Sequence, residues 1–302
     1  MTIRTINREE VRNLLAAESE VILVDVLPGE YFAEQHLPGA CNACVYEVSF
    51  LDRIRDITTD PDRPIIVYGS SSRSLASEQA VAKLAEAGYR NLFNFAGGLA
   101  DWEDAGLPLE RRPEQAVTVP RFREGCYIVS VEQSLVHWVG RSIVSRHYGS
   151  ISLAGGEICF ERGEIISGSL NVAMETIRVL DLEDSAWNQL LVSHLKSADF
   201  FHVTRFPTAS LTLTGTTTIP DATPGTPNFR ITGSLTIKGI SNQVVFPALI
   251  APRADGGLNA QAHFDIDRTL WQVQYGSGRL FEKLGMHLVN DFITLELQVL
   301  AW

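Results

Sequence analysis

Hydrophobic positions follow two different rules on either side of about residue 110. In the first part, Val21-Ile22-Leu23-Val24-Asp25 and Pro64-Ile65-Ile66-Val67-Tyr68 are short, continuous apolar runs, the pattern of parallel strands buried on both faces. Helical spacing accompanies them. Val11, Leu14 and Leu15 recur within Arg8 to Ala16, and Leu75, Ala80, Val81 and Leu84 within Ser74 to Ala87. Gly88 follows the second run, and glycine stops helices because it accepts a left-handed backbone. Strand–helix alternation predicts an α/β domain with a parallel sheet and helices on both faces.

In the second part the period drops to two. Leu170, Val172 and Met174 alternate with polar or small residues, as do Ile231, Gly233, Leu235 and Ile237, then Ala262, Phe264 and Ile266, then Ile293, Leu295, Leu297 and Val299. One apolar and one polar face mark antiparallel strands wetted on one side. Turn-forming clusters such as Pro220 to Asn228 and Arg253 to Gly257 separate the strands, and roughly eight such strands close most simply into an all-β antiparallel barrel. One helix interrupts the series, Ser185 to Ser197, with apolar Trp187, Leu190, Leu191 and Leu195. Between the two patterns lies the polar stretch Leu109 to Gln115. It predicts a first domain over 1–110, a linker over 111–120 and a barrel over 121–302.

Charge supports that division. The chain has 302 residues and a net charge of −11. Residues 1–110 hold 18 Asp/Glu against 9 Lys/Arg, and residues 111–302 hold 18 against 16. Such a balance argues against a nucleic-acid partner, which needs an excess of basic side chains. No run of 18 apolar residues occurs, so no transmembrane helix is expected. The charged start, Met1 to Glu10, lacks the apolar core of a signal peptide, which predicts a cytoplasmic location. Four cysteines, at 41, 44, 126 and 159, predict no disulfide framework and fit a reducing compartment. Cys41-Asn42-Ala43-Cys44 is a C-x-x-C, read as two small buried residues. Zinc would need two further ligands, so no metal site is expected.

Asp25, His36-Leu37-Pro38-Gly39-Ala40 and the closing Gly97-Gly98-Leu99-Ala100-Asp101-Trp102, through Ala105-Gly106-Leu107-Pro108, stand in the order of the rhodanese family's motifs. The first part of the chain therefore resembles a rhodanese-like domain over about residues 4–110. That resemblance implies a cysteine directly after the Pro64–Tyr68 strand, where loop N–H groups and a helix N-terminus lower a thiol's pKa and cradle its persulfide. Here the loop reads Gly69-Ser70-Ser71-Ser72-Arg73-Ser74, with glycine at the cysteine's place. Glycine carries no sulfur, and a serine hydroxyl without a base is a poor nucleophile. No catalytic residue is assigned, and thiosulfate sulfurtransferase activity is not expected. The loop is read as an inactive interaction module or an anion-binding nest with Arg73. The alternative is a sulfurtransferase using a displaced cysteine, Cys41 or Cys44.

His194 to Pro207, Leu235 to Val244 and, less closely, Asp267-Arg268 followed by Trp271 to Tyr275 resemble the signature segments of the YceI family. The resemblance spans about residues 125–300 and implies a lipocalin-like antiparallel β-barrel with one helix that binds a polyisoprenoid or isoprenoid quinone. The same residues leave open an isoprenoid-related enzyme or a sealed scaffold. Small residues in the apolar faces, Gly140, Gly233, Ala260 and Ala262, suggest room along the barrel axis. The expected lining is Val136, Trp138, Ile158, Phe160, Leu170, Val172, Met174, Leu211, Leu213, Ile231, Leu235, Ile237, Phe264 and Ile266. Phe200 and Phe201 are expected to anchor the helix, and His137, His194 and His202 to be structural. Beyond a bound isoprenoid lipid no cofactor is expected, and the acidic first half is expected to offer a docking surface to a protein partner.

Overall fold

A computed structural model of the protein describes residues 2–17, 20–111 and 120–302. The chain divides into two compact units, Met1–Thr118 and Val119–Trp302. Most of the expected linker, residues 112–119, lies outside the described residues.

The first unit holds strands β1 (Thr2–Ile6), β2 (Ile22–Asp25), β3 (Cys41–Asn42), β4 (Ile65–Tyr68) and β5 (Asn91–Phe95). Five helices alternate with them: α1 (Arg8–Ala17), α2 (Gly29–Glu34), α3 (Phe50–Ile57), α4 (Ala76–Glu86) and α5 (Gly98–Asp104). The strands form one sheet in the order β1-β5-β4-β2-β3, and every pairing is parallel. Neighbouring residues of β4 serve two different cores. Ile65 and Val67 pack with Phe50, Ile54, Ala80 and Leu84, whereas Ile66 and Tyr68 pack with Val11, Phe95 and Trp102. This is why the run is apolar without alternation: both faces of the sheet are covered by helices. The rhodanese-like architecture expected from the sequence is present.

The second unit is built from β6 (Gly125–Ile128), β7 (Leu135–Arg141), β8 (Arg146–Glu161), β9 (Glu164–Ala173), β10 (Arg178–Val179), helix α6 (Ser185–Lys196), β11 (Thr208–Thr218), β12 (Phe229–Ile237), β13 (Ile240–Pro252), β14 (Leu258–Asp267) and β15 (Phe292–Ala301). Eight strands run β8-β7-β15-β14-β13-β12-β11-β9, and the β8–β9 pairing closes the ring. A closed ring leaves no sheet edge to pair with another chain. The long β8 outgrows its two ring neighbours, and its extra length pairs with the short β6 and β10.

Three local expectations are corrected. Met174 does not continue β9 but opens a 3₁₀ turn over Met174–Thr176, where Met174 N–H bonds the Pro207 carbonyl. Cys41 is exposed while Cys44 is buried, because β3 is a two-residue strand at the open edge of its sheet. Cys126 and Cys159 form a disulfide across 33 residues. They stand directly opposite each other on the antiparallel β6–β8 pair, a proximity set by strand register and invisible in their spacing.

Candidate functional site

The barrel contains a cavity of about 330 Å³, within the size range of small-molecule sites. Its walls come from alternate residues of neighbouring strands: Val136 and Trp138 of β7, Ile151 of β8, Val172 of β9, Leu235 and Ile237 of β12, Ile266 of β14, and Ile293 and Leu295 of β15. Helix α6 and the turn after it supply Leu191, His194, Leu195, Phe200 and Phe201. The helix is held there by local chemistry. The Asp184 carboxylate accepts from Ala186 N–H and Trp187 N–H at 2.9 and 3.0 Å, satisfying two donors that a helix start leaves open. Asn188 Nδ2 donates to the Val179 and Leu182 carbonyls, and Lys196 Nζ donates to the Glu175 carbonyl at 2.6 Å.

Polar groups occupy few places in this wall. Arg268 is 3% exposed. Its guanidinium donates to the carbonyls of Val273, Asn290 and Val289 at 2.6, 2.9 and 3.0 Å, while burial pulls its pKa down against the opposing pull of Asp291 and Asp267. The buried fork thereby ties the 273–290 segment to the barrel. Next to it, Arg279 bridges Asp267 and Asp291 at 2.6 and 2.7 Å. His147 Nδ1 lies 2.8 Å from Asp181 Oδ2. Burial raises the Asp181 pKa, but bonds from Tyr148 N–H and His147 outweigh it and leave the carboxyl below its usual range. His194 packs edge-on to Phe200 and Tyr275 and lies 3.3 Å from Asp199 Oδ2. Trp138 is buried in the wall with no partner for its Nε1–H.

The residues expected to line the barrel divide among three surroundings. Val136, Trp138, Val172, Met174, Leu235, Ile237 and Ile266 border the 330 Å³ cavity. Ile158, Leu170, Leu211, Leu213 and Ile231 border a second cavity of about 50 Å³, together with Ala260 and Ala262. Phe160 stacks on Phe122 and Phe264 on Phe246, so both are packed core. Of the small residues, Gly140 borders the larger cavity, but Gly233 does not add room. A methyl group there would stand 2.7 Å from Leu211 Cδ1, so Leu211 already fills the space. Phe200 and Phe201 line the cavity as well as following the helix. Sequence reading missed Arg141, His147, Arg268, Tyr275 and Met286 in this wall. The Asp267-Arg268 pair was a usable signal, because an arginine inside a period-two strand end must find buried acceptors.

In the first unit the loop after β4 is tied to α5. Leu99 N–H and Ala100 N–H donate to the Gly69 and Ser70 carbonyls, each at 2.9 Å. Ser74 N–H donates to the Ser71 carbonyl, and Ser71 Oγ accepts from Arg73 N–H. A methyl group on Gly69 would stand 3.3 Å from Ala76 Cβ, so little room exists there for a side chain. Cys41 is aligned through Val24 with Val67, two strands away, roughly 10 Å across the sheet. Behind the loop, Asp25 is fully buried. Its Oδ1 accepts from Leu27 N–H at 2.8 Å, and the Tyr68 hydroxyl faces the carboxyl as a further donor. Burial raises this carboxyl to about 6, against the pull of Leu27 N–H, the Tyr68 hydroxyl and His36. Burial also raises the Tyr68 hydroxyl, whose oxygen accepts from Leu37 N–H at 3.0 Å.

Comparison with known proteins identifies both units. Residues 127–301 match the YceI-like domain and residues 7–105 the rhodanese-like domain. The thiosulfate sulfurtransferase GlpE of Actinobacillus succinogenes is 36% identical over 114 residues, which are 36% of this chain and 93% of that protein. Among solved structures, Burkholderia cenocepacia BcnA is 20% identical with a TM-score of 0.44, over 58% of this chain and 99% of that one. A polyisoprenoid binding domain from Saccharophagus degradans is 7% identical with a TM-score of 0.42, over 59% and 98%.

Proposed function

The chain belongs to the YceI-like domain family, with a rhodanese-like domain preceding it, and from that premise we propose that it is a non-catalytic carrier or sensor of an isoprenoid-type lipid. The observation that carries this reading is the 330 Å³ cavity walled mainly by aliphatic and aromatic side chains. Transfer of an isoprenoid tail into such a space is favourable by about 0.8 kcal/mol per CH₂-sized group before ordering costs. The tail is placed along the Val136, Trp138, Leu235, Ile237 and Ile266 wall.

In this reading the rhodanese-like unit is an interaction or anion-binding module. Gly69 stands at the nucleophile's place and two of the loop's carbonyls are committed to α5. Its acidic surface is the docking face for a protein partner. No helix among the described residues is long and apolar enough to cross a membrane.

Organic extraction and mass spectrometry of the purified protein should recover a prenyl lipid. A barrel that yields no prenyl lipid, and takes up none when offered, sinks the reading. Thiosulfate-to-cyanide turnover abolished by Cys41→Ser or Cys44→Ser would favour an enzyme instead.

A further inference from the structure

The exposed part of the cavity wall is confined to one place. Among its lining residues, Arg141, Ser145, Met286 and His287 are exposed, whereas Trp138, Leu235, Ile266 and Val273 are buried. The four exposed residues belong to two segments, the β7–β8 hairpin (141–146) and the connection entering β15 (272–291). These segments are joined. Asn290 N–H donates to the Arg141 carbonyl at 2.8 Å, and Ser142 bridges Val289, which also bridges Ser277. The exposed lining of the cavity, and with it the opening, is therefore carried by these two joined segments.

Around this opening stand large apolar side chains in water. Ile143 and Val144, at the hairpin tip, are 75% and 67% exposed, and Met286 is 78% exposed. Leu280 and Phe281, on a turn bonded to the Ser277 carbonyl, are about half exposed. Of the five only Met286 lines the cavity, so ligand contact does not explain the others. Single exposed apolar residues are ordinary, but a group around one opening marks a binding surface. The charge there is also local. Segments 141–146 and 276–289 carry Arg141, Arg146, Arg279 and Lys283 against Glu282; Arg279 is committed to Asp267 and Asp291, which leaves Arg141, Arg146 and Lys283 to the rim in a chain of net charge −11. Asp267 and Asp291, behind them, are matched by Arg279 and Arg268, and Asp181 faces His147.

Apolar tips within a basic rim suit the boundary of an anionic bilayer, where side chains enter the acyl region and cations meet headgroups. We propose that this rim docks the cavity mouth on an anionic lipid surface, so that a prenyl lipid passes between bilayer and barrel without crossing water. The inference rests on the lipid-carrier reading of the barrel.

The test is sedimentation of the full-length protein with vesicles of phosphatidylcholine alone and of phosphatidylcholine mixed with phosphatidylglycerol. Binding to the mixed vesicles should be about tenfold stronger and should fall with added salt. Ile143→Ser/Val144→Ser should reduce it by about tenfold, since both side chains are exposed and the loss is of insertion alone. Ile166→Ser, an exposed position near the opposite end of β8, should leave it unchanged. Equal binding to both vesicles, no binding, or undiminished binding by the double variant overturns the proposal. So does a dimer in size-exclusion chromatography that the double variant dissolves, because the rim would then join two copies. Lipid content is measured on the same proteins without vesicles. Docking without a recovered prenyl lipid upholds the rim and removes the carrier, and lipid without docking does the reverse.

Discussion

At Asp25 the fold holds a carboxyl out of water, with the Leu27 N–H and the Tyr68 hydroxyl as its partners. Its pKa of about 6 exceeds the ordinary 3.8, so between those values the folded chain binds more protons than the unfolded one. Stability therefore falls as pH rises through that window, by up to about 3 kcal/mol once the group is ionised. Asp25→Asn, which can still accept from Leu27 N–H, should unfold at nearly the same urea concentration as the parent near pH 4 and at a higher one at pH 7. A difference between the two proteins that does not vary with pH would refute this account. The same scale separates what side chains reveal from what they hide. Gly69 is legible as the absence of a thiol. The burial of Asp25 is not, because an acidic residue at a strand end is usually solvated.

Among the elements, the connection from β14 to β15 is held by the Arg268 side chain as well as by its own backbone bonds. Removing that fork would leave the buried Val273 carbonyl and the part-buried Val289 and Asn290 carbonyls without this donor, at a cost of about 3 kcal/mol. Arg268→Ala and Arg268→Lys should both lower the urea midpoint and the amount of co-purified lipid, because a single ammonium cannot reproduce the planar fork. Lipid content unchanged in Arg268→Ala would mean that the connection does not shape the cavity. A second prediction concerns β11 and β12. Leu211 fills the space over Gly233, which on β12 lies between Leu235 of the larger cavity and Ile231 of the smaller one. Leu211→Ala should join the two spaces and shift bound lipids towards longer chains in mass spectra, while costing about 2–5 kcal/mol of stability. An unchanged chain-length profile would show that the smaller space is not in line with the larger. The strands themselves were legible from period two. The filling of Gly233 by Leu211 was not, since alternation says which face a residue takes and nothing about what its neighbour reaches.

For the whole molecule, the two units have separate hydrophobic cores and the first carries most of the net charge. A ligand confined to the barrel stabilises only the unit that binds it, by about 3 kcal/mol when present at a hundred times its Kd. Delipidation should thus lower one calorimetric transition and leave the other in place. A shift of both together would show that the units unfold as one.

The sequence by itself determined the two architectures and their order. Continuous apolar runs with helices between them demand a sheet covered on both faces, and period two demands a sheet wetted on one. It also put glycine at position 69, where the rhodanese resemblance implies a cysteine. Only the tertiary structure decided which inward residues meet a cavity and which meet each other, that Cys126 faces Cys159, and that the exposed lining of the cavity lies on the 141–146 hairpin and the 272–291 connection. Those outcomes depend on strand register and on contacts between residues far apart in the chain. Local periodicity cannot encode such contacts, because a strand's pattern is the same whether its apolar face lines a space or fills one.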